Sequence, residues 1–104
     1  MTISNALLQS VDTPIFTADG QQAVTTIIFC NVSNTQTAAV SLFAVPYGGN
    51  PGPTTQVLNN VTLPPGETFA MDSERFVLEN SDVLYGTSSI ENIVCVTISS
   101  VATT

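Results

Sequence analysis

Runs of branched apolar residues, broken at short intervals by Gly, Pro and Asn, recur along the whole chain and predict strands throughout. Residues 14–18 form the first clear extended segment and run into Asp19-Gly20, a pair that favours the positive φ of a tight hairpin turn. Residues 23–32 read as a long strand whose middle, Ile27-Ile28-Phe29-Cys30, is apolar on both faces, as expected at the centre of a sheet. Ser33-Asn34-Thr35 turns the chain into a strand over 38–45, which ends in the Gly- and Pro-rich loop 46–53. Residues 56–63 mix apolar Val57, Val61 and Leu63 with polar Asn60 and Thr62, the pattern of a half-buried strand. Pro65-Gly66 suits the two central positions of a type II turn. Short strands follow over 67–71, 75–78 and 83–86, and 93–99 closes the series with Ile93-Val94-Cys95-Val96-Thr97-Ile98.

About seven or eight short antiparallel strands with such spacing predict an all-β, single-domain β-sandwich, immunoglobulin-like or jelly-roll-like. The strands at 23–32 and 93–99 are expected at sheet centres. Residues 1–12 are expected as an N-terminal arm or first edge segment, 13–104 as the sandwich, and residues 102–104 as a frayed end. Phe29 and Phe43 are expected in the core.

Composition agrees with the pattern. Val, Ile and Thr fill about a third of the chain and suit a pleated surface. Only 9% of residues are charged, and one Arg with no Lys against eight acids gives a net charge of −7. Binding to nucleic acid needs cations that the chain lacks. Wholly apolar runs such as Ile27 to Cys30 are far below the ~18 residues of a membrane helix, so no membrane span is expected. With no His and no Lys, the commonest general base and the Schiff-base amine are both missing. No Gly-x-Ser-x-Gly, phosphate-cradling loop or Cys-x-x-Cys occurs. No catalysis and no cofactor are therefore expected.

Several residues invite a functional reading beside a plain structural one. Cys30 and Cys95 are either a disulfide joining facing sheets or two buried thiols packing as small hydrophobes. Asp72, Glu74, Glu79 and Asp82 surround Arg75; they could attract Ca²⁺ but match no known loop spacing, and a solvated acidic edge is the simpler reading. Asn31-Val32-Ser33 and Asn60-Val61-Thr62 are glycosylation sequons that matter only in a secretory pathway. Tyr47 in the Gly- and Pro-rich loop, with Asn50, is either an anchor for a partner or a cover for the end of the sandwich. Open sheet edges are usually guarded by Lys, and this chain has none; its Ser-, Thr-, Asn- and Gln-rich exterior is easier to bury than a charged one. Packing against copies of itself or a larger scaffold is the expected consequence.

The succession Val24-Thr25-Thr26-Ile27-Ile28-Phe29-Cys30-Asn31-Val32, then Ala38-Ala39-Val40-Ser41-Leu42-Phe43-Ala44-Val45-Pro46, resembles small virion proteins of tailed bacteriophages, notably those of cyanobacteria and marine bacteria. Leu63-Pro64-Pro65-Gly66-Glu67-Thr68-Phe69 and Asp82-Val83-Leu84-Tyr85-Gly86-Thr87 continue the same layout, so the resemblance spans residues 14–100. It implies a non-enzymatic structural subunit: a head decoration or cement protein that bridges capsomers on the outer capsid surface, bound to the major capsid protein. Such a protein is assembled in the host cytoplasm and resides in the virion. A homo-oligomer, with a trimer favoured, is implied as well. A neck, tail, baseplate or fibre-associated adaptor shares the pattern. A surface- or carbohydrate-binding module is the reading from another class. The expected contact residues are Ile3, Leu7 and Leu8 in the first segment and Tyr47 and Asn50 in the loop.

Overall fold

A computed structural model describes residues 2–71 and 76–102. The chain is all-β. β1 (Thr2–Leu7), β9 (Val94–Ala102), β3 (Gln22–Asn31) and β6 (Thr68–Met71) lie side by side in one sheet, and β7 (Phe76–Leu78) continues the β6 side of β3. The second sheet has the order β2 (Thr13–Thr17), β8 (Val83–Ser88), β4 (Ala38–Val45), β5 (Gln56–Leu63). Every pairing is antiparallel.

The two most apolar strands, β3 and β9, are neighbours at the centre of the first sheet, as their composition predicts. Alternation decides their faces: Val94, Val96, Ile98 and Ser100 point inward along β9, while Cys95, Thr97 and Ser99 point out. The core between the sheets gathers Ile27 and Phe29 from β3, Ile98 from β9, Leu42 from β4 and Leu84 from β8. Phe43 and Val45 are buried too, yet stand apart from this cluster on the opposite face of β4.

Local turn chemistry was more legible than topology. Pro65-Gly66 forms the expected turn, with Gly66 at φ 75° and the Glu67 N–H donating to the Pro64 carbonyl at 3.1 Å. Asp19-Gly20 also turns, with Gly20 at φ 76°, but it is not a hairpin. β2 and β3 belong to different sheets, so the turn carries the chain across the sandwich; the one hairpin between consecutive strands in the described structure is β4–β5. The last strand also extends beyond expectation: Ala102 pairs with Gln22, whereas Thr103 and Thr104 lie outside the described residues.

Of the two readings of residues 1–12, an arm or a first edge segment, the structure shows the edge segment: β1 is the outermost strand of the first sheet. Thr2–Leu7 pairs with β9 in an unbroken register, from Thr2 opposite Ser100 to Leu7 opposite Cys95. Leu8 then turns inward and is fully buried, its N–H donating to the Val94 carbonyl at 2.9 Å. A Cβ on Gly86 would lie 2.7 Å from Leu8 Cδ2, so the absence of a side chain at Gly86 makes the seat for Leu8. Leu8 therefore serves the core and cannot be a contact residue.

Asn31, at the end of β3, is buried and bridges the two sheets. Its amide nitrogen donates to the Leu63 carbonyl at 2.9 Å and the Gln36 carbonyl at 2.8 Å, and its side-chain oxygen accepts the Ser33 N–H at 3.0 Å. These three bonds satisfy the polar atoms that burial would otherwise strand. The first sequon is thereby explained as a structural Asn, inaccessible to a glycan; Asn60, of the second, is exposed at φ 52°.

Candidate functional site

Strand directions place four connections, 8–12, 32–37, 64–67 and 89–93, at one end of the sandwich and 18–21, 46–55 and 79–82 at the other. Among the described residues, no strand contains a charged side chain. Among the described residues, Asp12, Glu67 and Glu91 sit at the first end and Asp19, Glu79 and Asp82 at the second. Among the described residues, the faces of both sheets and the β1, β2 and β5 edges thus carry no ionised side chain. Burying such flanks against a neighbour avoids the several kcal/mol that removing a charge from water costs. Acidic ends, in contrast, repel one another.

The outer face of the first sheet mixes apolar and small polar side chains. Leu7, Cys95, Cys30 and Thr68 form one row across it, and Asn5, Thr97, Ile28 and Ala70 the next. Ile3 is 65% exposed and Leu7 47%, so the first segment does present the two apolar side chains expected of it, beside the buried Leu8. Cys30 and Cys95 are direct cross-strand partners on this face, half-buried and unbonded. They neither face each other between sheets nor sit in the core, because β3 and β9 are neighbours and both thiols fall on the outward alternation.

At the second end, the carboxylate of Asp82 ties two loops together. One oxygen accepts the Tyr47 N–H at 2.9 Å and the other the Glu79 N–H at 2.9 Å, while the Asp82 carbonyl accepts the Ala18 N–H at 2.9 Å. The Gly49 N–H closes a turn on the Pro46 carbonyl at 2.8 Å with Gly48 at φ 83°. Tyr47 is therefore held by its backbone while the residue as a whole is 78% exposed, and Asn50 is exposed as well. A pinned, solvent-facing Tyr loses little further freedom when a partner covers it. Replacing Asp82 by Ala removes two charge-assisted bonds, each worth roughly 1.5–3 kcal/mol. The variant is expected to melt earlier and to show faster amide exchange at Tyr47 and Glu79; unchanged exchange at both would contradict this role.

Of the four clustered acids, Asp72 and Glu74, with Arg75, lie outside the described residues. Asp82 is committed to backbone N–H groups, and Glu79 accepts a bond from Gln21 at 3.0 Å. No group of three or more metal-ligating side chains forms among the described residues.

An open groove of about 410 Å³ runs between the β1 and β2 edges, lined by Ser4, Ile15, Phe16, Asp19, Gln22 and Ser100 among others. The Ser100 hydroxyl beneath it is buried without a hydrogen-bond partner among the described residues. No residue of the groove was singled out by sequence pattern, because it arises only where two edge strands from different sheets part company. Comparison of the chain with protein-family models, curated proteins and solved structures finds no match.

Proposed function

We propose that this chain is a non-enzymatic structural subunit of a phage virion: a head decoration or cement protein bridging neighbouring capsomers on the outer capsid surface. The observation that carries the reading is that, among the described residues, every acid lies at one of the two ends of the sandwich, which leaves uncharged Ser-, Thr- and apolar-rich sheet faces for packing against the major capsid protein. The exposed Tyr47 on its pinned loop supplies a compact anchor at one end. The resemblance over residues 14–100 supplies the virion context. Among the described residues Tyr47 is the sole large aromatic left exposed, whereas a carbohydrate-binding face would want several in a row.

Adding the purified chain to shells that lack it tests the proposal. Binding is expected to saturate and to survive about 1 M salt, where the Debye length shrinks to roughly 3 Å and exposed ionic contacts are screened. Absence of binding, or its loss in high salt, would overturn the reading.

A further inference from the structure

We infer that the free edge of β1 is a self-association site, at which a second copy of this chain pairs with it in antiparallel register across a two-fold axis. The other three sheet edges carry a device against such pairing. β2 has Pro14 and a register shift between Pro14 and Phe16; β5 is kinked, with shifts in its pairing and Asn60 at φ 52°; the remaining edge is divided between the short strands β6 and β7. β1 has six regularly paired residues, no Pro, no charge and no bulge.

The hydrogen-bond phase of β1 selects the partner. Leu8 lies opposite Val94 and donates its N–H to that carbonyl, so the even-numbered residues of the segment bond to β9. Ile3, Asn5 and Leu7 consequently aim their backbone N–H and C=O groups away from the sheet. An antiparallel copy centred on Asn5 sets Asn5 opposite its own symmetry mate and Ile3 opposite Leu7 twice. All three pairs are of the hydrogen-bonded type, giving about six inter-chain bonds. The same register lays Ile3, 65% exposed, against Leu7, 47% exposed, and keeps like faces on one side. The Asn5 side-chain oxygen already accepts the Thr97 hydroxyl at 2.8 Å, which leaves its amide nitrogen as the group available to the axis pair. A segment whose pattern reads the same in both directions suits its own copy better than an unrelated strand.

The contact is small, so its dimer belongs at the weak end of specific interfaces, below about 1,200 Å². It stands apart from the capsid proposal and differs from the trimer that the resemblance implies. Sedimentation velocity on the full chain, up to about 100 µM, is expected to show a monomer–dimer equilibrium. Asn5→Pro spares the β9 ladder, since the Asn5 N–H points outward, and should weaken the dimer by on the order of tenfold or more, as should Ile3→Lys on the exposed face. Asn5→Cys, with Cys30→Ala and Cys95→Ala, should form a disulfide-linked dimer on mild oxidation, because opposed residues about 5.5 Å apart at Cα fall within disulfide reach. A wild-type chain that stays monomeric or forms trimers, or folded variants that dimerise as the wild type does, would overturn the inference.

Discussion

Phe29→Ala is expected to remove about 3 to 5 kcal/mol of unfolding free energy, a large part of what a domain of this size holds. Phe29 is fully buried near the end of β3, flanked on one side by Val96 of β9 and on the other by Phe69 of β6. Its ring meets that of Phe69 at 6.4 Å between centroids and 32° between planes. Strands on both sides hold the backbone in place, so the site has little freedom to collapse into the space left by the ring. Urea unfolding monitored by far-ultraviolet circular dichroism measures the loss; a near-neutral result would contradict the placement of β3. Phe43→Ala should cost less. Phe43 lies outside the central cluster on the opposite face of β4 and keeps 9% of its surface exposed, so its truncation leaves a smaller enclosed gap.

Deleting residues 1–12 is expected to abolish the stable fold. Leu8 alone, fully buried and seated over Gly86, is worth about 2 to 5 kcal/mol as a Leu→Ala truncation. The deletion also strips β1 from β9 and turns a central strand into an edge. Loss of the cooperative melting transition is the anticipated outcome. A truncated chain that melts as the full one does would restore the view of this segment as an appended arm. Leu8→Ala should reproduce a substantial share of the effect with β1 still present.

The central strands were legible because Ile, Val and Phe on β3 and β9 follow the period of a pleated sheet, and β4 and β5 begin and end at the residues their patterns mark. β1 was harder to recognise. Its larger apolar residues, Ile3 and Leu7, face solvent, while Ser4 and Ala6 face in, so the usual sign of a core strand is reversed. What holds β1 is backbone pairing, to which side-chain pattern is nearly blind. Asp19-Gly20 announced a turn correctly but said nothing about which sheet the next strand would join. Asn31 looked like a sequon because its principal partner, the Leu63 carbonyl, is 32 residues away. The thiols were correctly assigned to the two central strands; their position on one outward face depends on the adjacency of β3 and β9, a property of the whole topology.

The candidate contact residues divide on the same physical ground. Ile3, Leu7, Tyr47 and Asn50 are exposed, and Leu8, their neighbour in sequence, is buried by the one-residue step that reverses sides along an extended chain. The uncharged sheet faces emerge only when the described acids, scattered through the sequence, are seen to fall between strands.

The count of this chain per purified virion, by quantitative mass spectrometry, tests the proposed function most directly. A shell offers hundreds of equivalent positions, and a decoration protein is expected to occupy them in numbers of that order. A count of a few to about a dozen would instead assign the chain to a neck, tail or vertex structure, and absence from the particle would contradict the virion reading altogether.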